Sequence, residues 1–216
     1  MNYGCEFVNR FTEDVNDSDI TDREKTFLQS VELIELEDIT ESTVVLDLGS
    51  NYGEVIRALS PTGCKIYSFE PHPVFYNMLT NDYGNLENVI LSDSAAWISK
   101  ERRKFYFKRS PDALNGGATL MSEKTNITNL DLCVDVQCFD VSEMIKSLGT
   151  VDILKIDVEG AEYEILDKIF TSGAYKNVKS IYFEDHIRKM PSPRFRELKM
   201  KVIRDYNSVD KELYWW

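Results

Sequence analysis

The chain has 216 residues, 43% of them hydrophobic and 29% charged, with a formal net charge of −12. That length suits one large domain, or one domain with an added segment, at ~100–200 residues per domain, and the balance excludes disordered, collagen-like and low-complexity classes. No apolar run approaches the ~18 residues of a membrane span, and the first ten residues lack the basic-then-apolar pattern of a secretory signal. A cytoplasmic location is therefore expected, with Cys5, Cys64, Cys133 and Cys138 reduced: they are sparse and form no C-x-x-C pair.

The first forty residues hold 11 acidic and 3 basic side chains. Within them Thr21-Asp22-Arg23-Glu24 reads as a capping box, and Phe27, Leu28, Val31, Leu33 and Ile34 follow at helical spacing. This predicts an acidic N-terminal helical segment over residues 1–40, with a helix at 22–35, ahead of a domain over 41–216. Val44-Val45-Leu46-Asp47-Leu48 is a short apolar run of the kind buried on both faces of a parallel sheet. A helix follows at 54–59, stopped by Ser60-Pro61-Thr62-Gly63, then a strand at 65–69 and a helix opened by Pro73 to about 80. A third strand spans 88–92.

Two less regular strands, 104–108 and 132–138, flank a long polar loop carrying Asn115-Gly116-Gly117. Long loops of this kind often carry function. A short helix at 142–148, a strand at 151–156, a helix at 159–170, a strand at 179–183 and a basic helix at 193–204 complete the alternation. A last edge strand falls at 212–216. Strands alternating with helices at this spacing predict βαβ units: an α/β fold with a doubly wound, mostly parallel sheet and helices on both faces.

The turn Asp47-Leu48-Gly49-Ser50-Asn51-Tyr52-Gly53 lies between the first strand and its helix. Its glycines let a ligand approach the backbone, and the helix start beyond offers free N–H groups. The spacing is G-x-x-x-G, not the G-x-G-x-x-G of dinucleotide enzymes. Asp47 would repel a pyrophosphate and welcome an ammonium, and Asn51 can donate to a carboxylate, so the turn suits an amino-acid moiety. Glu70 ends the second strand, where a carboxylate accepts from ribose hydroxyls. Asp93-Ser94-Ala95 ends the third, where small residues can border a flat base. An amino acid, a ribose and an adenine along three adjacent strand ends describe S-adenosylmethionine.

The stretches Val44 to Gly53, Phe69-Glu70-Pro71-His72-Pro73, Leu154-Lys155-Ile156-Asp157-Val158-Glu159-Gly160-Ala161-Glu162 and Glu184-Asp185-His186 together resemble the FkbM family of S-adenosylmethionine-dependent methyltransferases. The resemblance implies the Rossmann-like class I methyltransferase fold, with the C-terminal strands shortened here. It also implies methylation of hydroxyl oxygens on sugars or other small molecules. By it, Asp47, Gly49, Asn51 and Gly53 hold the methionine part, Glu70 the ribose, Ser94 and Ala95 the adenine, and Asp157 lies by the sulfur, with Pro71 also among the cofactor-binding residues. The turn carries Ser50 where the family usually has alanine.

A hydroxyl is a weak nucleophile, so a general base helps its methylation. Candidates at the ends of the fourth and fifth strands are Asp157, Glu159, Glu162, Glu184 and His186, of which Asp157, His186 and Glu159 are selected as catalytic. Glu159 and Glu162 also suit the start of a helix as dipole partners. Asp157, Glu184 and His186 could present oxygen and nitrogen ligands to a divalent ion, but no spacing is diagnostic and no metal ligand is assigned.

The expected partner is a small-molecule or glycan hydroxyl acceptor, with no membrane and no defined oligomeric state. A nucleic-acid ribose methyltransferase would use the basic clusters at 100–109 and 188–204, although an overall acidic chain is a poor general binder of nucleic acid. A non-catalytic binding module would keep the cofactor fold and present the basic helix and Trp215-Trp216 to a partner.

Overall fold

A computed structural model describes residues 39–112, 116–209 and 212–215. The expected helix at 22–35 and its capping box lie outside the described residues. The central sheet has six strands: β1 (Val44–Leu48), β2 (Lys65–Phe69), β3 (Val89–Ser92), β7 (Val151–Ile156), β8 (Val178–Phe183) and β9 (Glu212–Trp215), in the order β3-β2-β1-β7-β8-β9. Every neighbouring pair in it is parallel. Parallel pairing needs crossovers, and these are the helices α1 (Glu54–Leu59), α2 (Pro73–Tyr83), α4 (Glu162–Thr171) and α5 (Pro193–Asn207). A further helix, α3 (Val141–Leu148), leads into β7.

Alternation along the strands sorts the core onto two faces. Val45, Ile66, Val89 and Ile153 meet Val55, Ile56 and Leu59 of α1 and Leu79 of α2. Leu46, Leu48, Leu154, Ile156 and Ile181 point the other way, onto Ile145 of α3, Ile165 and Ile169 of α4 and Phe195 and Val202 of α5. Burial on both faces is why β1 and β7 read as mostly apolar runs, broken only by Asp47 in β1 and by Asp152 and Lys155 in β7. The doubly wound α/β architecture expected from the alternation is the one observed, and β9 extends it as a further parallel edge strand.

A second sheet was not foreseen in full. β4 (Ala95–Trp97), β5 (Arg102–Tyr106) and β6 (Cys133–Asp140) form it in the order β4-β6-β5, with β4 parallel and β5 antiparallel to β6. β5 lies two residues before the predicted 104–108, and β4 carries no alternation that would mark a strand. The sheet packs Trp97, Phe105 and Val136 into the α3–α5 side of the core. Asp140 at its end caps α3, its Oδ1 accepting from the N–H groups of Ser142 and Glu143 at 2.8 and 3.2 Å.

α4 starts at Glu162, not at residue 159 as the periodicity predicts. Glu159 has φ 60° and Gly160 φ 122°, so neither belongs to a right-handed helix. The chain runs outward from β1 through β2 and β3, then returns to β7 on the other side of β1. The reversal places a crevice at the carboxyl ends of β1 and β7, where such sheets bind ligands.

Candidate functional site

The crevice is a cleft of about 570 Å³, counted out to its open mouth. Gly49 and Asn51 of the turn after β1, Glu70, Pro71 and His72 after β2, and Asp157, Val158 and Glu159 after β7 line one side. Ala95 and Ala96 of β4 and Phe105 of β5 line another, and Gly116 to Ala118 with Leu120 close it. Of the expected residues, Gly49, Asn51, Glu70, Pro71, Ala95, Asp157 and Glu159 therefore border one cavity. Asp47, Gly53, Ser94 and His186 do not line it.

The turn after β1 is built by close approach. Gly49 has φ 84°, and a Cβ on it would sit 1.8 Å from the carbonyl oxygen of Asp157. Only glycine lets the β1 and β7 turns meet so closely. The Asn51 N–H, at φ 50°, donates to Glu70 Oε2 at 2.7 Å, and the His72 N–H donates to Glu70 Oε1 at 2.8 Å. The Glu70 carboxylate thus ties the β1 turn to the β2 turn. Burial raises its pKa to about 7, against the lowering effect of those two N–H groups and of Lys155. His72 also caps α2, its Nδ1 accepting from the Val74 N–H at 3.2 Å.

Asp47 is fully buried beneath the turn. Its Oδ1 lies 3.4 Å from Lys155 Nζ, which also reaches the Gly49 carbonyl and lies 3.7 Å from Asp157 Oδ2. The chain supplies its own ammonium to Asp47. Lys155 stands opposite Asp47 in the β1–β7 register and two residues before Asp157, so period two puts all three on one side. That spacing was the available signal for it. Gly53 caps the start of α1, and Ser94 donates its N–H to Ser92 Oγ at 3.2 Å.

Beyond Asp157 lies a dense charged cluster. Glu162, 1% exposed, accepts at Oε1 from the N–H groups of Val158 at 3.2 Å and Gly160 at 3.0 Å, which shapes the left-handed turn between them. His186, 2% exposed, places Nδ1 3.0 Å from Glu162 Oε1, and Nε2 3.0 Å from Glu159 Oε2 and 3.3 Å from Glu184 Oε1. Burial alone would lower the His186 pKa, but Glu159 and Glu162 outweigh it and raise it to about 10. Burial would likewise raise Glu159, yet His186 and Lys124 hold it well below the usual carboxylate range. Glu184 is pushed up to about 7, first by burial and then by the charge of Asp157.

Lys124 was not anticipated. Its side chain is fully buried, ion-paired to Glu159 Oε2 and 3.4 Å from the Gly117 carbonyl. The sequence flagged its loop through Asn115-Gly116-Gly117, but a lone lysine in a polar stretch gives no sign of burial.

Much of the basic charge is committed within the chain. On α5, Arg194 pairs with Glu164 and Glu123 at 3.2 Å each, Lys199 with Asp185 at 2.5 Å, and Lys201 with Asp167. In the hairpin, Arg103 pairs with Glu101 at 3.3 Å and Lys104 with Asp135 at 3.2 Å. No helix among the described residues is long and apolar enough to cross a membrane.

The model of the methyltransferase FkbM domain matches residues 47–207. No curated protein and no solved structure matches the chain.

Proposed function

Because the chain belongs to the FkbM methyltransferase family, we propose that it transfers the methyl group of S-adenosylmethionine to a hydroxyl oxygen of a sugar or other small molecule. The observation that carries this reading is the convergence of Gly49, Asn51, Glu70, Ala95 and Asp157 on one cleft from separate strand ends. Gly49, whose missing Cβ lets the β1 and β7 turns pack together, places the turn after β1 on the cleft where the amino-acid end would lie. Glu70 would accept from the ribose hydroxyls, and Ala95 and Ala96 would flank the adenine.

When bound, S-adenosylmethionine supplies an electrophilic sulfonium methyl. The chain's part is to hold the acceptor oxygen near attack distance, ~3–3.5 Å, and in line. Asp157 borders the cleft at the end of β7 and would take the hydroxyl proton. Lys155 Nζ, 3.7 Å from Asp157 Oδ2, keeps the carboxylate oriented. Glu159 would accept a hydrogen bond from the acceptor, its carboxylate fixed by Lys124 and His186. His186 is buried behind Glu159 and acts in this reading through it, as a positioning residue. The paired charges on α5 and the hairpin favour a small acceptor over a nucleic acid.

Calorimetric titration with S-adenosylmethionine and S-adenosylhomocysteine tests the reading. Micromolar binding is expected in the parent protein, weakened by at least about tenfold in Glu70→Ala, which removes a charge-assisted acceptor pair. Folded parent protein that binds neither compound would overturn it.

A further inference from the structure

Four carboxylates from three elements converge on one imidazole: Asp157 and Glu159 from the turn after β7, Glu162 from the first turn of α4, and Glu184 from the end of β8, around His186. An acidic cluster alone is common. This one is set apart by the histidine. Its Nδ1 faces Glu162 Oε1 at 3.0 Å, the carboxylate–histidine contact that fixes ring orientation in metal sites. Its Nε2 is buried and has no hydrogen-bond partner, although Glu159 Oε2 at 3.0 Å and Glu184 Oε1 at 3.3 Å flank it. The two oxygens stand beside the ring nitrogen rather than in line with its N–H direction.

We propose that Asp157, Glu184 and His186 form a divalent-cation site, with His186 Nε2 and the two carboxylates as ligands and Glu162 as the group that orients the imidazole. Two observations support it. Donor atoms of Asp157, Glu162 and His186 lie within 4.8 Å of one another, and Glu184 Oε1 stands 3.3 Å from His186 Nε2, close to the roughly 3 Å that separates donors bound at ~2.1 Å around one ion. The buried His186 Nε2, which has no hydrogen-bond partner, supplies the nitrogen donor.

Glu159 is already shared by Lys124 and Lys189, which leaves it a neighbour of the ion rather than a ligand. A mostly carboxylate set with one imidazole favours a hard ion such as Mn²⁺ or Mg²⁺. Asp157 borders the cleft, so an ion on it would reach an acceptor oxygen there and lower its hydroxyl pKa. That consequence rests on the hydroxyl-transfer reading; the site itself does not.

The test is Mn²⁺ titration of the intact, chelator-treated chain, followed by electron paramagnetic resonance. One Mn²⁺ per chain is expected, with a dissociation constant at or below ~100 µM. Glu184→Gln, whose side chain is 29% exposed and can be replaced without opening the core, should weaken it at least about tenfold, and Glu162→Gln by ~10–100-fold. Nitrogen hyperfine coupling on the bound ion should report His186. No saturable binding below about 1 mM in folded protein, or binding that Glu184→Gln leaves unchanged, overturns the site. A parallel titration with S-adenosylhomocysteine separates the two proposals: its binding without Mn²⁺ overturns this one alone, and Mn²⁺ binding without it overturns the function reading alone.

Discussion

Glu70 shows how one residue sets a pH dependence. It is 6% exposed, and both its oxygens already accept a backbone N–H, yet burial still raises its pKa from 4.5 to about 7. A group whose folded pKa is raised contributes stability that is full below its unfolded pKa and is lost as pH rises through the folded one. Between pH 4.5 and 7 the protein should therefore lose up to roughly 3 kcal/mol from this residue. Thermal melts across that window should show a flatter Tm profile for Glu70→Gln than for the parent; parallel profiles would refute the assignment. Ligand binding should have the opposite sign, because ribose hydroxyls donate best to the ionised carboxylate. Affinity for S-adenosylhomocysteine should rise by up to about tenfold per pH unit until Glu70 is ionised. At Gly49 the limit is steric. A Cβ would meet the Asp157 carbonyl at 1.8 Å with φ at 84°, so Gly49→Ala should separate the β1 and β7 turns. A cost of ~2 kcal/mol or more in denaturant unfolding is expected, together with loss of cofactor affinity.

The turn from Asp157 to Glu162 marks the boundary of what a sequence pattern can show at the scale of elements. Its apolar neighbours predict a helix from residue 159, because period 3.6 counts only hydrophobic positions. The chain instead takes φ 60° at Glu159 and φ 122° at Gly160, held by the Glu162 carboxylate on two N–H groups. Glu162 also faces His186, so Glu162→Ala strands both N–H groups and a buried imidazole. Removing one partner of a buried pair costs ~3–5 kcal/mol, a fall in Tm of roughly 10 °C for a chain of this size. A loss under about 2 °C would show that the turn stands without it. β1, α1, β2 and β7 fall at their predicted bounds because doubly buried strands and Gly/Pro stops leave unambiguous runs. β4 was invisible because its three residues show no alternation and pair only with β6, some forty positions later in the chain. Among the expected site residues, Gly49, Asn51 and Glu70 were legible as strand-end chemistry. The burial of Asp47 under Lys155 was not, because it depends on the β1–β7 register.

At the scale of the whole molecule the cleft joins segments far apart in sequence, and one buried ion pair ties them. The strand ends supply its floor, but Gly116 to Ala118 and Leu120 close it from a connection with little regular structure. That segment is anchored at one end by the Tyr106–Thr119 bridge and further on by the Thr125 N–H donating to the Lys189 carbonyl at 2.9 Å. Between them stands Lys124, whose ammonium is buried on Glu159 and the Gly117 carbonyl. Burial lowers its pKa, and Glu159 opposes that shift. A buried lysine is stable as a cation only while its partner stays, so wall and floor are coupled through this contact. Lys124→Met keeps the length and apolar stem of the side chain and removes only the charge. Amide hydrogen exchange over residues 116–127 should then quicken by at least about tenfold, equivalent to a local opening easier by ~1.4 kcal/mol, with exchange in β1 and β7 unchanged. Exchange that quickens throughout the sheet would instead make the pair a support of global stability, and unchanged exchange would show the wall to be held by its backbone contacts alone.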